Sequence, residues 1–143
     1  MPKMIFVNLA VADVEKSAAF YEAVGFTRDQ RFSRPGSAAA MNWSDTIAFM
    51  LLSREHFADF TSKTIIDARS SVEALLCLSR DSRAEVDAVV EAARAAGGKV
   101  DPGPTQDYGF MYGRSFEDPD AHGWGVMWMD VEAAAQAQSA TAA

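Results

Sequence analysis

Cysteine and histidine are scarce in this chain, with one Cys and two His among 143 residues. A single Cys77 excludes an internal disulfide, and its apolar strand setting reads as a buried thiol, as expected of a reducing cytoplasm. No run of Lys or Arg occurs, and the net charge is −7, which argues against a phosphate-backbone partner because nucleic-acid binding needs a clustered basic face. The N-terminus lacks the basic segment and apolar core of a signal peptide, and no apolar stretch approaches the ~20 residues of a membrane span. The expectation is a cytoplasmic protein with neither nucleic acid nor membrane as a partner.

What is present is a repeat. Ile5, Val7, Leu9 and Val11 alternate with Met4, Phe6, Asn8 and Ala10, the period of a strand whose two faces meet different surroundings. Asp13 then stands as an N-cap with Glu15 in the first turn, and Val14, Ala18, Tyr21 and Val24 recur at helical spacing up to a C′ Gly25. A second copy begins in Val72 to Ser79. Its helix opens at Ser82 with Glu85 three residues on, a capping-box spacing, and Val86, Val89, Val90 and Ala93 line one face before Gly97 and Gly98 stop it. Strand-like segments follow each helix: Phe26 to Phe32, Ser37 to Trp43 and Thr46 to Ser53, then Lys99 to Asp101, Phe110 to Glu117 and Gly123 to Asp130. The pattern is βαβββ written twice, an α+β architecture. One helix covers one face of each sheet, so two units must associate to bury the remainder.

These lengths predict one domain over residues 1–132, with modules 4–53 and 72–130, long enough to bury about two-thirds of its unfolded surface. Residues 54–71 form a connector. Phe57, Phe60, Ile65 and Ile66 give it apolar surface to dock, with a helical turn around Glu55 to Phe60. Residues 133–143 are Ala, Gln, Ser and Thr without core-forming period and read as a disordered tail.

Three motifs together carry a resemblance: Leu9 to Phe26 as L-x-V-x-D-x-x-x-S-x-x-F-Y-x-x-x-G-F, Ala96-Gly97-Gly98 closing the second helix, and Phe116-Glu117-Asp118-Pro119-Asp120 opening the last hairpin. The chain resembles the vicinal oxygen chelate superfamily, the glyoxalase, bleomycin-resistance and extradiol-dioxygenase group, and is similar to its small lactoylglutathione-lyase-like proteins. The resemblance implies two βαβββ modules forming a curved mixed sheet around a cleft, helices outside, in a homodimer. It also implies, for metal-dependent members, four side chains gripping a divalent ion. Here those positions fall on Phe6, near Met50, on Leu75 and on Gly125, none of which ligates a hard cation. Glu73 shares parity with Leu75 and would point into the cleft one step along; its plainer reading is a polar strand entry. His56 lies in the connector and His122 in the hairpin turn, each reading as exposed or structurally hydrogen-bonded. Ala121 stands where the family usually has Gly; with φ > 0 there, Ala→Gly would stabilise. No divalent metal or other cofactor is expected.

Parity carried over from the family makes the cleft-facing set Phe6, Asn8, Ala10, Met50, Leu52, Leu75, Cys77, Gly125, Met127 and Met129, apolar and Met-rich. Such a surface adapts to a small apolar or aromatic ligand, with Asn8 to orient it, or else closes into solid core. Tyr112 and Arg114 share a face; if it lines the cleft, Arg114 clamps an anionic group, and otherwise it pairs with a surface acid. Trp43, Trp124 and Trp128 read as core or interface. Three readings follow: a metal-free small-molecule binder, a lactoylglutathione-lyase-like or other enzyme of the superfamily with a non-standard or metal-free site, and a structural dimer with a filled cleft.

Overall fold

The first strand, β1 (Ile5–Val11), runs straight into helix α1 (Val14–Val24), as the alternation and the Asp13 signal require. The Asp13 carboxylate accepts from the Lys16 backbone N–H at 3.1 Å, satisfying one of the donors a helix start leaves open. At the other end Gly25 takes φ 127°, and the Gly25 and Phe26 N–H groups both return to the Tyr21 carbonyl. A residue with a Cβ would be strained there, and the Cβ would also meet the Trp43 ring at 3.4 Å. The computed structural model describes residues 2–142 and divides into two compact units between Val72 and Glu73.

In the first unit β2 (Thr27–Arg34), β3 (Ala38–Asn42) and β4 (Ile47–Ser53) complete a sheet of order β1-β4-β3-β2, with β1 parallel to β4 and the other pairs antiparallel. Tyr21 of α1 meets Phe26 edge to face at 5.3 Å, and Phe26 meets Phe49 at 5.6 Å and Trp43 at 5.0 Å. That chain of rings identifies the face of Phe49, Met41 and Leu51 as the one packed on α1; Met41 and Leu51 are fully buried. The connector forms helix α2 (Arg54–Phe57) and a 3-10 turn (Ala58–Phe60), as expected. Arg54 holds its loop through the Ile65 and Ile66 carbonyls, while Phe60 is exposed and does not dock as expected.

The second unit repeats the order. Strands β5 (Leu76–Ser79), β6 (Lys99–Val100), β8 (Met111–Glu117) and β9 (Gly123–Met129) stand as β5-β9-β8-β6, again with first and last parallel, and β7 (Gln106–Asp107) pairs with β8. Helix α3 (Arg83–Ala95) buries Val86, Val89, Val90 and Ala93, the four residues its spacing assigned to the core. Its Ser82 cap accepts from the Glu85 N–H at 3.1 Å; the Glu85 carboxylate reaches back to the Asp81 N–H rather than that of Ser82, and also takes Arg80.

Three expectations change. Strand β5 begins at Leu76, not Val72, because its partner β9 begins at Gly123 and residues 72–74 have nothing to pair with; Glu73 is therefore outside the strand and its parity with Leu75 has no meaning. Cys77 is exposed, not buried. The alanine-rich end, read as disordered, is helix α4 (Val131–Ala142), capped by the Asp130 carboxylate on the Ala133 N–H at 3.1 Å. Alanine favours helix even without an apolar stripe, and no described side chain of α4 is buried. Ala143 lies outside the described residues.

The hairpin before β9 is organised by Asp118, buried at 4% exposure, whose carboxylate accepts from the Asp120 and His122 N–H groups at 3.0 and 2.8 Å. This turn holds Ala121 at φ 70°, as the Gly-for-Ala comparison anticipated. Left-handed backbone costs a residue with a Cβ about 1–2 kcal/mol, against about 0.4–1 kcal/mol of unfolded-state entropy that Gly adds. Ala121→Gly should therefore stabilise the chain by about 0.5–1 kcal/mol, seen as a higher urea midpoint at unchanged slope. A lower midpoint would show that the turn relies on the alanine methyl.

Candidate functional site

Pairing register sorts every strand residue onto one of two faces. In the second unit Tyr112 pairs with Trp128, Arg114 with Val126, Phe116 with Trp124 and Leu78 with Val126, all on the face toward α3. Phe116 and Trp124 stack there at 6.0 Å with planes 4° apart, both buried. The opposite face carries Cys77 opposite Gly125, Ser79 opposite Met127, Gly113 opposite Met127 and Met111 opposite Met129.

The α3 face holds the strongest electrostatics. Arg114, its side chain 11% exposed, donates to Asp87 at 3.0 Å, Glu91 at 3.0 Å and both oxygens of Asp101 at 2.8 and 3.2 Å. The Tyr112 hydroxyl donates to the same Asp87 oxygen at 2.6 Å. Beside them Arg83 grips Asp107 with two bonds of 2.7 and 2.8 Å, adds the Gly109 carbonyl at 3.2 Å, and lies over the Tyr112 and Trp128 rings.

Each acid is held ionised by its partner. The Arg83 hydrogen bonds bring Asp107 down to about 2. Asp101 is lowered first by Arg114, Asp87 first by the Tyr112 hydroxyl and then by Arg114, and Glu91 first by Arg94 and then by Arg114. Tyr112 is raised, chiefly by the bond to Asp87, and Arg114 is raised by its carboxylates. Each of these groups is held in the protonation state that its ion pairs and hydrogen bonds favour.

The residues expected to bind ligand are thus divided. Phe6, Asn8, Met50 and Leu52 do share a face in the first unit, since Phe6 pairs with Ala48, Asn8 with Met50 and Ala10 with Leu52, on the side away from α1. Phe6 and Asn8 are exposed and Leu52 is buried. In the second unit Cys77 and Met127 share the face away from α3, and Leu75 precedes β5 at 79% exposure with its Cδ2 packed 3.1 Å from where a Cβ on Gly123 would stand. Tyr112 and Arg114 lie on the other face. The condition for Arg114 to clamp a ligand anion is unmet, because parity turns it to α3 and three carboxylates occupy it. Although Cys77 is exposed as a residue, partial desolvation by neighbouring atoms pushes its thiol up, so it stays protonated at neutral pH.

Residues 3–126 match the family profile described as the Glyoxalase/Bleomycin resistance protein/Dioxygenase superfamily. The chain belongs to that superfamily. Among solved structures it is similar to a hypothetical protein of S. aureus, at 29% identity and a TM-score of 0.73 with 90% of this chain and 94% of that one covered. A glyoxalase/bleomycin resistance protein/dioxygenase family enzyme from Burkholderia phytofirmans PsJN matches at 22% identity and 0.71, covering 90% and 99%. A lactoylglutathione lyase from Agrobacterium tumefaciens matches at 17% identity and 0.63, covering 90% and 94%. The last two likenesses show the fold. A comparison with curated sequences returned no match.

Superfamily metal chemistry needs oxygen or imidazole donors, and Phe6, Met50, Leu75 and Gly125 supply none. Among the described residues no three His, Cys, Asp or Glu side chains gather into a metal-holding group. His56 instead faces Asp59 at 3.5 Å and meets Phe60 edge to face, and the His122 N–H serves the Asp118 turn. The residues present do not fit the ion.

The Arg114 cluster makes its own prediction. Carboxylates lowered by folding contribute stability that is complete above their unfolded range near 4 and is lost as the pH falls toward 2. Arg114→Met should cost about 2 kcal/mol at pH 7, less than a fully buried pair because the three acids are one-third to one-half exposed. Urea unfolding at pH 7 and pH 3 should show the deficit shrinking at the lower pH; an equal deficit at both would mean that Arg114 acts by packing.

Proposed function

We propose that this protein binds small apolar or aromatic molecules on the sheet face that a unit turns away from its own helix, without the divalent ion of the superfamily's metal enzymes. One observation carries the reading: the four metal-ligand positions implied by the family hold Phe6, Met50, Leu75 and Gly125, none of them a donor to a hard cation. Phe6, Leu75 and Met129 keep large exposed areas there, and Met111 and Met127 add flexible thioethers that adapt to an irregular ligand. Asn8 supplies a neutral donor and acceptor. No pair of titratable groups poised near neutrality lies among these residues, which supports binding over acid–base catalysis. A homodimer is the assembly proposed with it.

Two measurements test this. Met127→Lys should reduce binding of the uncharged dye Nile red at least tenfold while leaving the circular dichroism spectrum unchanged; undiminished binding would remove the β9 face from the site. Calorimetric titration of the chelator-stripped protein with nickel, zinc, manganese and iron(II) should show no tight site. One ion bound per chain, together with hemithioacetal isomerisation, would replace the binding reading with that of a lactoylglutathione-lyase-like enzyme.

A further inference from the structure

On the open face of the second unit one row of residues crosses four strands: Ser79 of β5, Met127 of β9, Gly113 of β8 and Gln106 of β7. Gly113 leaves a gap in that row. A Cβ built on it would meet only the Val126 carbonyl at 3.6 Å and the Met127 Cβ at 3.9 Å, so the backbone floor is bare toward Gln106. Its flanking residues stand two interstrand spacings apart, about 10 Å, which is the width of one ring lying edge-in between side chains. The nearest positions on this face are Cys77, Gly125, Ser115 and Met111, all uncharged; the charged pair Glu117 and Lys99 stands on the same face four residues along β8 from Gly113. Gln106 is exposed and offers both a carbonyl and an amide N–H₂ at the rim.

We infer that Gly113 is the floor of a slot between Met127 and Gln106 that takes a single flat, uncharged ring system, with Gln106 reading a neutral hydrogen-bonding edge such as a lactam. The inference rests on the binding reading above and names its ligand class. Uncharged ligands are selected because a charge placed here would lose water and gain no counter-charge, while a ring keeps its dispersion contact with the Met127 sulfur. Gln106 is the residue that distinguishes ligands, since a neutral edge left without a partner at this rim loses a hydrogen bond.

The test is an NMR titration of the full chain with three probes: quinolin-2-one, flat with a lactam edge; naphthalene, flat without one; and 1-adamantanol, bulky and not flat. Quinolin-2-one is expected to bind most tightly. Gly113→Val, whose Cβ meets only ordinary contacts and whose backbone is outside the left-handed region, should fold and weaken both flat probes more than tenfold. Gln106→Met should weaken quinolin-2-one about five- to tenfold, the worth of one neutral hydrogen bond, and leave naphthalene unchanged. Unaltered binding to Gly113→Val, or equal loss of both flat probes in Gln106→Met, would overturn the slot. Binding of 1-adamantanol in preference to the flat probes would also overturn it while leaving the apolar-face reading in place. Failure of the wild-type chain to bind any of the three would overturn both.

Discussion

Parallel pairing of the first and last strands governs each unit. β1 lies beside β4 and β5 beside β9, although the first pair is separated in sequence by a helix and two strands and the second by a helix and three. A parallel neighbour cannot be reached by a tight turn, so the chain must cross the sheet, and the helix that makes the crossing packs on one face alone. Everything else about the unit follows from that asymmetry. One face is committed to α1 or α3 and collects the large buried side chains; the other has no helix of its own topology to cover it.

Alternation then turns sequence position into chemistry. Along β8, Tyr112, Arg114 and Phe116 go to α3 while Met111, Gly113, Ser115 and Glu117 go the other way. The result gives the two faces of one seven-residue strand different surroundings. Arg114 and its three carboxylates form a closed electrostatic unit on the helix side, holding α3 and the Asp101 bend to the sheet. Met127 and Cys77 face away from it, one backbone thickness from that cluster of four charges.

The hairpins and caps show how local chemistry supports that arrangement. Asp118 ties three residues of its turn, and its grip is what holds Ala121 in a left-handed conformation that alanine resists. Asp13 and Ser82 cap the two helices in the same way, each with its side-chain oxygen on an N–H three residues ahead. These are short-range devices, legible because they depend on residue type and spacing alone. The repeat, helix faces, strand limits within one or two residues for most strands, and superfamily were all legible for that reason. The Phe6, Asn8, Met50 and Leu52 grouping followed from parity carried over from the family, and the β1–β4 register places the four on one face.

Other features needed partners that composition does not reveal. The β5 ladder opens with Leu76 opposite Trp124, so Val72 to Leu75, although strand-like, stay outside it. Gln106 entered a sheet row through a two-residue strand with no periodic signal of its own. Cys77 reads as core by its neighbours in sequence and is exposed because Gly125, its partner across the sheet, has no side chain to cover it. By itself the sequence determined the βαβββ repeat and the capped helices, because period and cap chemistry are properties of residues and their spacing. Only the tertiary structure decided which face Arg114 and Tyr112 serve, because the side of a strand that receives the helix is fixed by packing, and alternation alone leaves the two faces equivalent.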